Sequence, residues 1–210
     1  MIEIFENVLQ LTVTGVCSAI CFLQAYRMKE KEWDILALFY AAIFLGDLYW
    51  LLFLLFKGTT PNLSYVSEFA WYAAYMFLLI LLRFVGGEKV TQVRHPLLWI
   101  IPIFVIGMCI FYMQWGDYLA NIISALLMGF LFLNSIRGMI ANGEAGVAGP
   151  SFRRNFCAAV LIMCLIEYTL WTVSCFSSGE GIENPYYWVD MLFTMSMAAI
   201  LPLFAKVVRA

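Results

Sequence analysis

The chain has 210 residues, 64% hydrophobic and only 12% charged, with 12 Lys and Arg against 14 Asp and Glu for a net charge of −2. Soluble domains run at about 45–50% apolar and about 25% charged, so this composition excludes a disordered chain, a fibrous repeat and a soluble globule. The mean hydropathy of +0.88 marks an integral membrane protein.

A spanning helix needs about 20 predominantly apolar residues. Seven such runs are predicted, at 7–26, 35–56, 64–85, 96–114, 117–138, 155–177 and 186–207. Their continuity favours helices over the alternating strands of a barrel. The fold class is therefore all-α, a polytopic membrane protein with seven transmembrane helices in one domain. Glu3 and Glu6 precede the first run, where a cleavable signal peptide would carry positive charge. The first run holds Gly15 and Ala19 and ends Phe22-Leu23-Gln24-Ala25-Tyr26-Arg27. The second carries Gly46-Asp47 and Trp50, and the third opens at Pro61 and Tyr65, followed by Glu68, Trp71, Tyr72 and Tyr75. The fourth contains Pro102, and the fifth has Ala125 and Gly129 and ends Phe132-Leu133-Asn134-Ser135-Ile136-Arg137. A Gly-rich connection from Ile140 to Arg154 leads to the sixth, with Glu167, Tyr168 and Trp171. The seventh opens at Pro185, Tyr187, Trp188 and Asp190 and holds Met195, Met197 and Pro202. The small-xxx-small pairs Gly15/Ala19 and Ala125/Gly129 suit close helix packing.

Orientation follows from the bias of Lys and Arg toward cytoplasmic loops. With the N-terminus outside, eleven basic residues face inward (Arg27, Lys29, Lys31, Arg83, Lys89, Arg94, Arg137, Arg153, Arg154, Lys206 and Arg209) and only Lys57 faces out. The expected topology is N-outside, C-inside. Tyr65, Trp115, Tyr186, Tyr187 and Trp188 then form an outer aromatic belt.

Three features recur in order. The F-L-(Q/N)-x-x-R ends of runs one and five are 110 apart, the acids Asp47 and Glu167 are 120 apart, and the Pro–Tyr–acid openings with Glu68 and Asp190 are 122 apart. Runs 1–3 (about 7–85) and 5–7 (about 117–207) read as two parallel copies of one three-helix unit, joined by helix 4 at about 96–114. This 3+1+3 plan resembles the SWEET, PQ-loop and nicotinamide-riboside-carrier superfamily. The resemblance implies a small-solute transporter with its site between the two units.

The candidate site comes from the acids. A carboxylate at the centre of a span costs about 2.5–3.5 kcal/mol by insertion measurements, and such a residue is a functional candidate by default. Asp47 and Glu167 fall near mid-span, while Glu68 and Asp190 are expected above them, open to the outside. Trp50 at i+3 from Asp47, Trp171 at i+4 from Glu167, and Trp71 and Tyr72 beside Glu68 give each acid an aromatic neighbour on its helix face. Carboxylates with indole and phenol faces suit a cationic ligand. Gln24 and Asn134, matched in the two units, complete the expected substrate- or ion-binding set. The alternative is that these acids only fix helix packing through Tyr49, Tyr168, Gln24 or Asn134.

Several chemistries lack their residues. Helix 7 has no mid-span Lys for a retinal Schiff base, and His95 is the only histidine, so haem and His-rich zinc sites are not expected. The six cysteines lie in apolar runs with no CxxC and read as core thiols. No cofactor, metal or nucleic-acid partner is expected; the partners are the lipid bilayer and a small-molecule ligand, and a homo-oligomer stays open. Asn62-Leu63-Ser64 is a glycosylation sequon that matters only in a eukaryotic secretory pathway. The compact chain suggests a bacterial inner membrane.

Three functions compete. The first is a transporter for a small polar or cationic solute, with proton coupling through Asp47 and Glu167 as a further option. The second is a seven-helix sensor or receptor module that signals through a partner. The third is an intramembrane lipid hydrolase, because Gly46-Asp47 with Glu167 resembles the paired acids of the lysoplasmalogenase family. A non-enzymatic role ranks first.

Overall fold

The computed structural model describes residues 2–59, 65–87, 90, 92–143, 152–177, 179 and 181–209, with only the backbone of Tyr65. Pro61, the Asn62–Ser64 sequon, Lys89 and most of the Gly-rich connection lie outside the described residues, as does the Tyr65 side chain.

The described residues form an all-α structure. Its helices are α1 (Ile2–Met28), α2 (Lys31–Lys57), α3 (Tyr65–Gly86), α4 (Ile100–Tyr112, led in by a 3-10 turn at Pro96–Trp99), α5 (Tyr118–Ala141), α6 (Phe152–Phe176) and α7 (Pro185–Val208). Polar caps set several of their ends. Asp117 accepts hydrogen bonds from the Leu119 and Ala120 amides at 2.8 and 3.1 Å, and Asn184 accepts from the Tyr186 amide at 2.9 Å ahead of Pro185 at the first helical position. Gly58 closes α2 at φ 69°, in the left-handed region that a glycine enters without steric penalty.

Six helices, all but α4, are long and apolar enough to cross a bilayer. The fourth element is shorter than the expected spans: four residues of 3-10 helix and 13 of α-helix. At about 2.0 and 1.5 Å per residue it reaches about 27 Å, close to the roughly 30 Å of a hydrocarbon core.

The six long helices follow one another in a ring, in the order α1–α2–α3–α5–α6–α7 and back to α1, while α4 lies against α5 and, through Phe104 and Tyr112, against α6. Paired contacts fix the directions. Gly15 faces Phe44, and Ser18 donates to the Ala37 carbonyl at 3.2 Å, so α1 and α2 are antiparallel. Gly138 faces Cys157 while Phe132 meets Tyr168, so α5 and α6 are antiparallel as well. The two remaining junctions are parallel. Tyr72 of α3 donates to the Ala120 carbonyl of α5 at 3.3 Å, and Glu6 of α1 hydrogen-bonds Asp190 of α7, each contact lying near both N-termini. Helix α4 runs antiparallel to α5, with Asn121 donating to the Tyr112 carbonyl at one end and Gly129 facing Val105 nearer the other.

These directions gather the N-termini of α1, α3, α5 and α7 at one end of the ring. At the opposite end the bore is filled: Trp33 meets Phe204 edge-on at 5.0 Å, Phe156 meets Phe204 at 5.8 Å, and Tyr40, Phe156 and Phe204 are fully buried. The Tyr40 hydroxyl reaches across from α2 to donate to the Met197 carbonyl of α7 at 2.7 Å. Arg27, Lys29, Lys31, Arg83, Arg94, Arg137, Arg153, Arg154, Lys206 and Arg209 belong to helix ends or links at this filled end, and Lys57 to the other.

The exterior is apolar. Leu52, Phe69, Met76, Ile103, Ile110, Leu126, Ile162 and Leu192 are exposed, while Glu6, Asp47, Glu167 and Asp190 are buried. Water would penalise a surface with so much contiguous apolar area, whereas lipid favours apolar outside and polar inside. The chain is a multi-pass membrane protein.

Candidate functional site

The end of the ring that carries the N-termini of α1, α3, α5 and α7 encloses a cavity of about 640 Å³. Its floor belongs to α2 and α6. Asp47 is on α2, and the absence of a side chain at Gly46 lets the Trp71 indole of α3 lie against the α2 backbone, since a Cβ at Gly46 would come within 2.9 Å of Trp71 Nε1. That indole N–H donates to Asp47 Oδ1 at 3.2 Å. Glu167 on α6 is held from two sides, by the Tyr75 hydroxyl of α3 and by the Trp171 indole one turn along its own helix. Each of these carboxyl groups keeps one buried oxygen, Asp47 Oδ2 and Glu167 Oε2, with no hydrogen-bond partner among the described residues. A buried polar atom without a partner carries a desolvation cost of about 1–3 kcal/mol, more when charged, so these two atoms mark positions where a donor is missing.

A second acidic pair joins the ends of the two three-helix runs. Glu6 and Asp190, 4% and 6% exposed, share a hydrogen bond across the α1–α7 junction. Asp190 lies close enough to Asp47 and Glu167 to interact with both electrostatically. The walls are aromatic. Trp50 and Trp71 lie 6.1 Å apart and tilted by 38°, and Tyr112 stacks on Tyr168 at 6.2 Å with its hydroxyl 2.8 Å from that of Thr172.

Eight of the ten residues expected from the sequence line this cavity: Asp47, Trp50, Glu68, Trp71, Tyr72, Glu167, Trp171 and Asp190. Gln24 and Asn134 do not. The cavity takes its α1 residues from Glu3 to Gln10 and its α5 residues from Ala120 to Ala125, so at 1.5 Å per residue Gln24 lies about 21 Å and Asn134 about 13 Å further toward the filled end. The Asn134 amide is occupied there, donating to the Phe130 carbonyl at 2.7 Å. Two expected details also change. The indole bonded to Asp47 is Trp71 on the neighbouring helix, not Trp50 at i+3. Asp190, expected to be open, is buried against Glu6, whereas Glu68 is half-buried.

Glu6 is the main residue that sequence reasoning missed. The first apolar run appears to start at 7 because Glu3, Glu6, Asn7 and Gln10 interrupt it, but those residues are spaced as one helical face and all four line the cavity. With Thr14 continuing the face, buried at 0% exposed, this polar stripe was the available signal. Tyr112 and Tyr186 also join the lining from positions that read as ordinary core or rim aromatics, and Tyr75, one turn beyond the Glu68 aromatics, joins it too. Among the described residues no three His, Cys, Asp or Glu converge tightly enough to hold a metal ion.

The fold defines a class, a multi-pass helical membrane protein with an acid- and aromatic-lined cavity at one end. Comparison with protein-family models, curated proteins and solved structures finds no match to the chain.

Proposed function

We propose that the protein is a small multi-pass transporter that takes a small polar or cationic solute into the cavity between its two three-helix halves. In this reading α4 is the seventh span, and the 3+1+3 plan is that of the SWEET-like superfamily. The N-terminus faces outward and the C-terminus the cytoplasm of a bacterial cell, because ten described basic residues belong to the filled end and one to the cavity end. The ring order supports two parallel units: α1–α2–α3 and α5–α6–α7 follow one another with α3 against α5 and α7 against α1, as a two-fold axis along the membrane normal would arrange them.

The observation that carries the reading is the pair of floor acids, each donated to by an indole and each with one oxygen unpartnered. Among the described residues no Lys, Arg or His lines the cavity to neutralise them, and in this reading the missing partner is a proton or a cation. Passage needs the filled end to open. Pro202 leaves the Ala198 carbonyl without its helical donor, one residue beyond the Met197 carbonyl that Tyr40 grips from α2. Proton coupling would use the same two acids, whose protons are displaced when the solute binds.

The test is uptake into proteoliposomes of labelled n-butylamine, tetramethylammonium, tyramine, spermidine and neutral sugars. Saturable uptake of at least one cation is expected, reduced at least about tenfold in Asp47→Asn and in Glu167→Gln. Unchanged uptake in both variants removes the proposed role of the acids. A second reading, a membrane sensor, is favoured by the aromatic filling of the other end; it predicts saturable binding in the cavity without any uptake.

A further inference from the structure

We propose that the last part of α7 is the inner gate of the protein: a hinge at Met197–Pro202, latched by the Tyr40 hydroxyl of α2, carries Phe204 into and out of the filled end. This deepens the transporter reading and rests on it for its purpose, because a solute that enters the cavity must leave past this plug. An α-helix is held by bonds from each amide to the carbonyl four residues earlier. In α7 two successive bonds of that ladder are weakened. The Leu201 amide is the helical partner of the Met197 carbonyl, but the Tyr40 hydroxyl donates to that carbonyl at 2.7 Å and meets the Leu201 amide as well. The next bond is missing, since Pro202 has no N–H for the Ala198 carbonyl. A side chain inserted into the ladder and a proline are two of the identifiable causes of a sharp helix bend, and here they fall on adjacent rungs. Pro202 is the only proline beyond the first position in any of the six long helices.

What the hinge carries is the plug. Beyond Pro202 the helix runs only to Val208, less than two turns. Phe204 anchors this segment, fully buried, edge-on to Trp33 at 5.0 Å and tilted against Phe156 at 5.8 Å. Helix α2 therefore fastens α7 on both sides of the hinge, through Tyr40 at Met197 and through Trp33 at Phe204.

The closed plug also carries a cost. Trp33 Nε1 is buried in it with no hydrogen-bond partner among the described residues, and an unmade bond at a buried N–H is unfavourable. Opening breaks the Tyr40 bond but lets water reach the Trp33 indole, so the two changes offset in part. Tyr40 is thus a positioning residue for the gate, acting on the α7 backbone from a site below the cavity floor.

Hydrogen–deuterium exchange of the purified full chain in phosphatidylcholine nanodiscs, read by mass spectrometry on peptides of α7, tests this without any solute. Amide exchange reports local opening. Tyr40→Phe keeps the ring and removes the latch, so exchange over 203–208 should rise about tenfold, the worth of one hydrogen bond, with 187–196 unchanged. Pro202→Ala restores the missing donor; it should slow exchange over 203–208 about fivefold on its own and cancel most of the rise when added to Tyr40→Phe. Unchanged exchange over 203–208 in Tyr40→Phe would overturn the latch, and a rise spread evenly along α7 would overturn it too, because Tyr40 would then only hold the fold. No effect of Pro202→Ala in either background would overturn the hinge, and this arm decides the proposal if Tyr40→Phe does not fold. The expected exchange pattern with no uptake of any amine or sugar by the wild-type chain would leave the hinge established and sink the transporter reading on its own.

Discussion

At one end of the helix ring the bore holds Glu6, Asp47, Glu167 and Asp190 around open space; at the other it holds Trp33, Tyr40, Phe156 and Phe204 in contact. The same α2, α6 and α7 helices build both ends. Between Asp47 and Tyr40 there are two turns of helix, about 10 Å, and over that distance the interior changes from acid to aromatic. The difference separates two energetic roles. Packed aromatics stabilise by contact and lose stability when truncated. Buried acids with unpartnered oxygens cost stability and persist where a ligand or proton supplies the missing partner. Substitutions at the two ends should therefore move stability and binding in opposite proportions.

The largest effect is expected at the filled end. Tyr40→Ala removes a fully buried ring and its 2.7 Å hydrogen bond to the Met197 carbonyl. It should destabilise the protein by about 3–5 kcal/mol in denaturant titrations of the micelle-bound chain. A loss below about 1 kcal/mol would mean that the ring does not tie α2 to α7. Next is Gly138→Ala, where an added Cβ would come within 2.5 Å of Cys157 Sγ, a buried atom with little freedom to retreat. About 1–3 kcal/mol should be lost, and combining it with Cys157→Ala should recover at least about half of that, as contacting residues do not add independently.

At the acidic end the prediction reverses. Asp47→Asn keeps the shape of the side chain and its acceptor for the Trp71 indole, but removes a buried charge-bearing group with an unpartnered oxygen. Thermal stability should be unchanged or higher, while cation binding falls by about tenfold or more. Loss of both together would show that Asp47 is a packing residue, and the contrast between the two ends would fail.

Much of this contrast was legible in the sequence. Continuous apolar runs located all seven helices, because lipid forces backbone polar groups to pair within a segment. The mid-span acids Asp47 and Glu167 stood out because lipid rejects them, and they do line one cavity. What the runs could not give was direction around the helix. Glu6 looked like a flank because hydropathy averages over all faces, while the polar stripe from Glu3 to Gln10 points inward. Gln24 and Asn134 were grouped with the site by register alone, and register says nothing about how far along a helix the cavity extends. The bond from Trp71 to Asp47 crosses between helices and depends on the bare backbone at Gly46, and spacing within one helix cannot reveal such a contact.

That last contact gives the smallest and most specific prediction. A Cβ at residue 46 would stand 2.9 Å from Trp71 Nε1, 3.1 Å from its Cδ1 and 3.2 Å from Ala70 Cβ. The indole is rigid, so it must turn or withdraw, and either motion lengthens the 3.2 Å bond to Asp47. Gly46→Ala should thus weaken cation binding by about threefold, with a stability loss under about 1 kcal/mol because alanine favours the helix that the clash disfavours. Trp71→Phe removes the same donor by another route. If the glycine acts only by admitting the indole N–H, adding Gly46→Ala to Trp71→Phe should cost little further affinity. Full additivity of the two would mean that Gly46 acts independently of the indole, through α2–α3 packing alone.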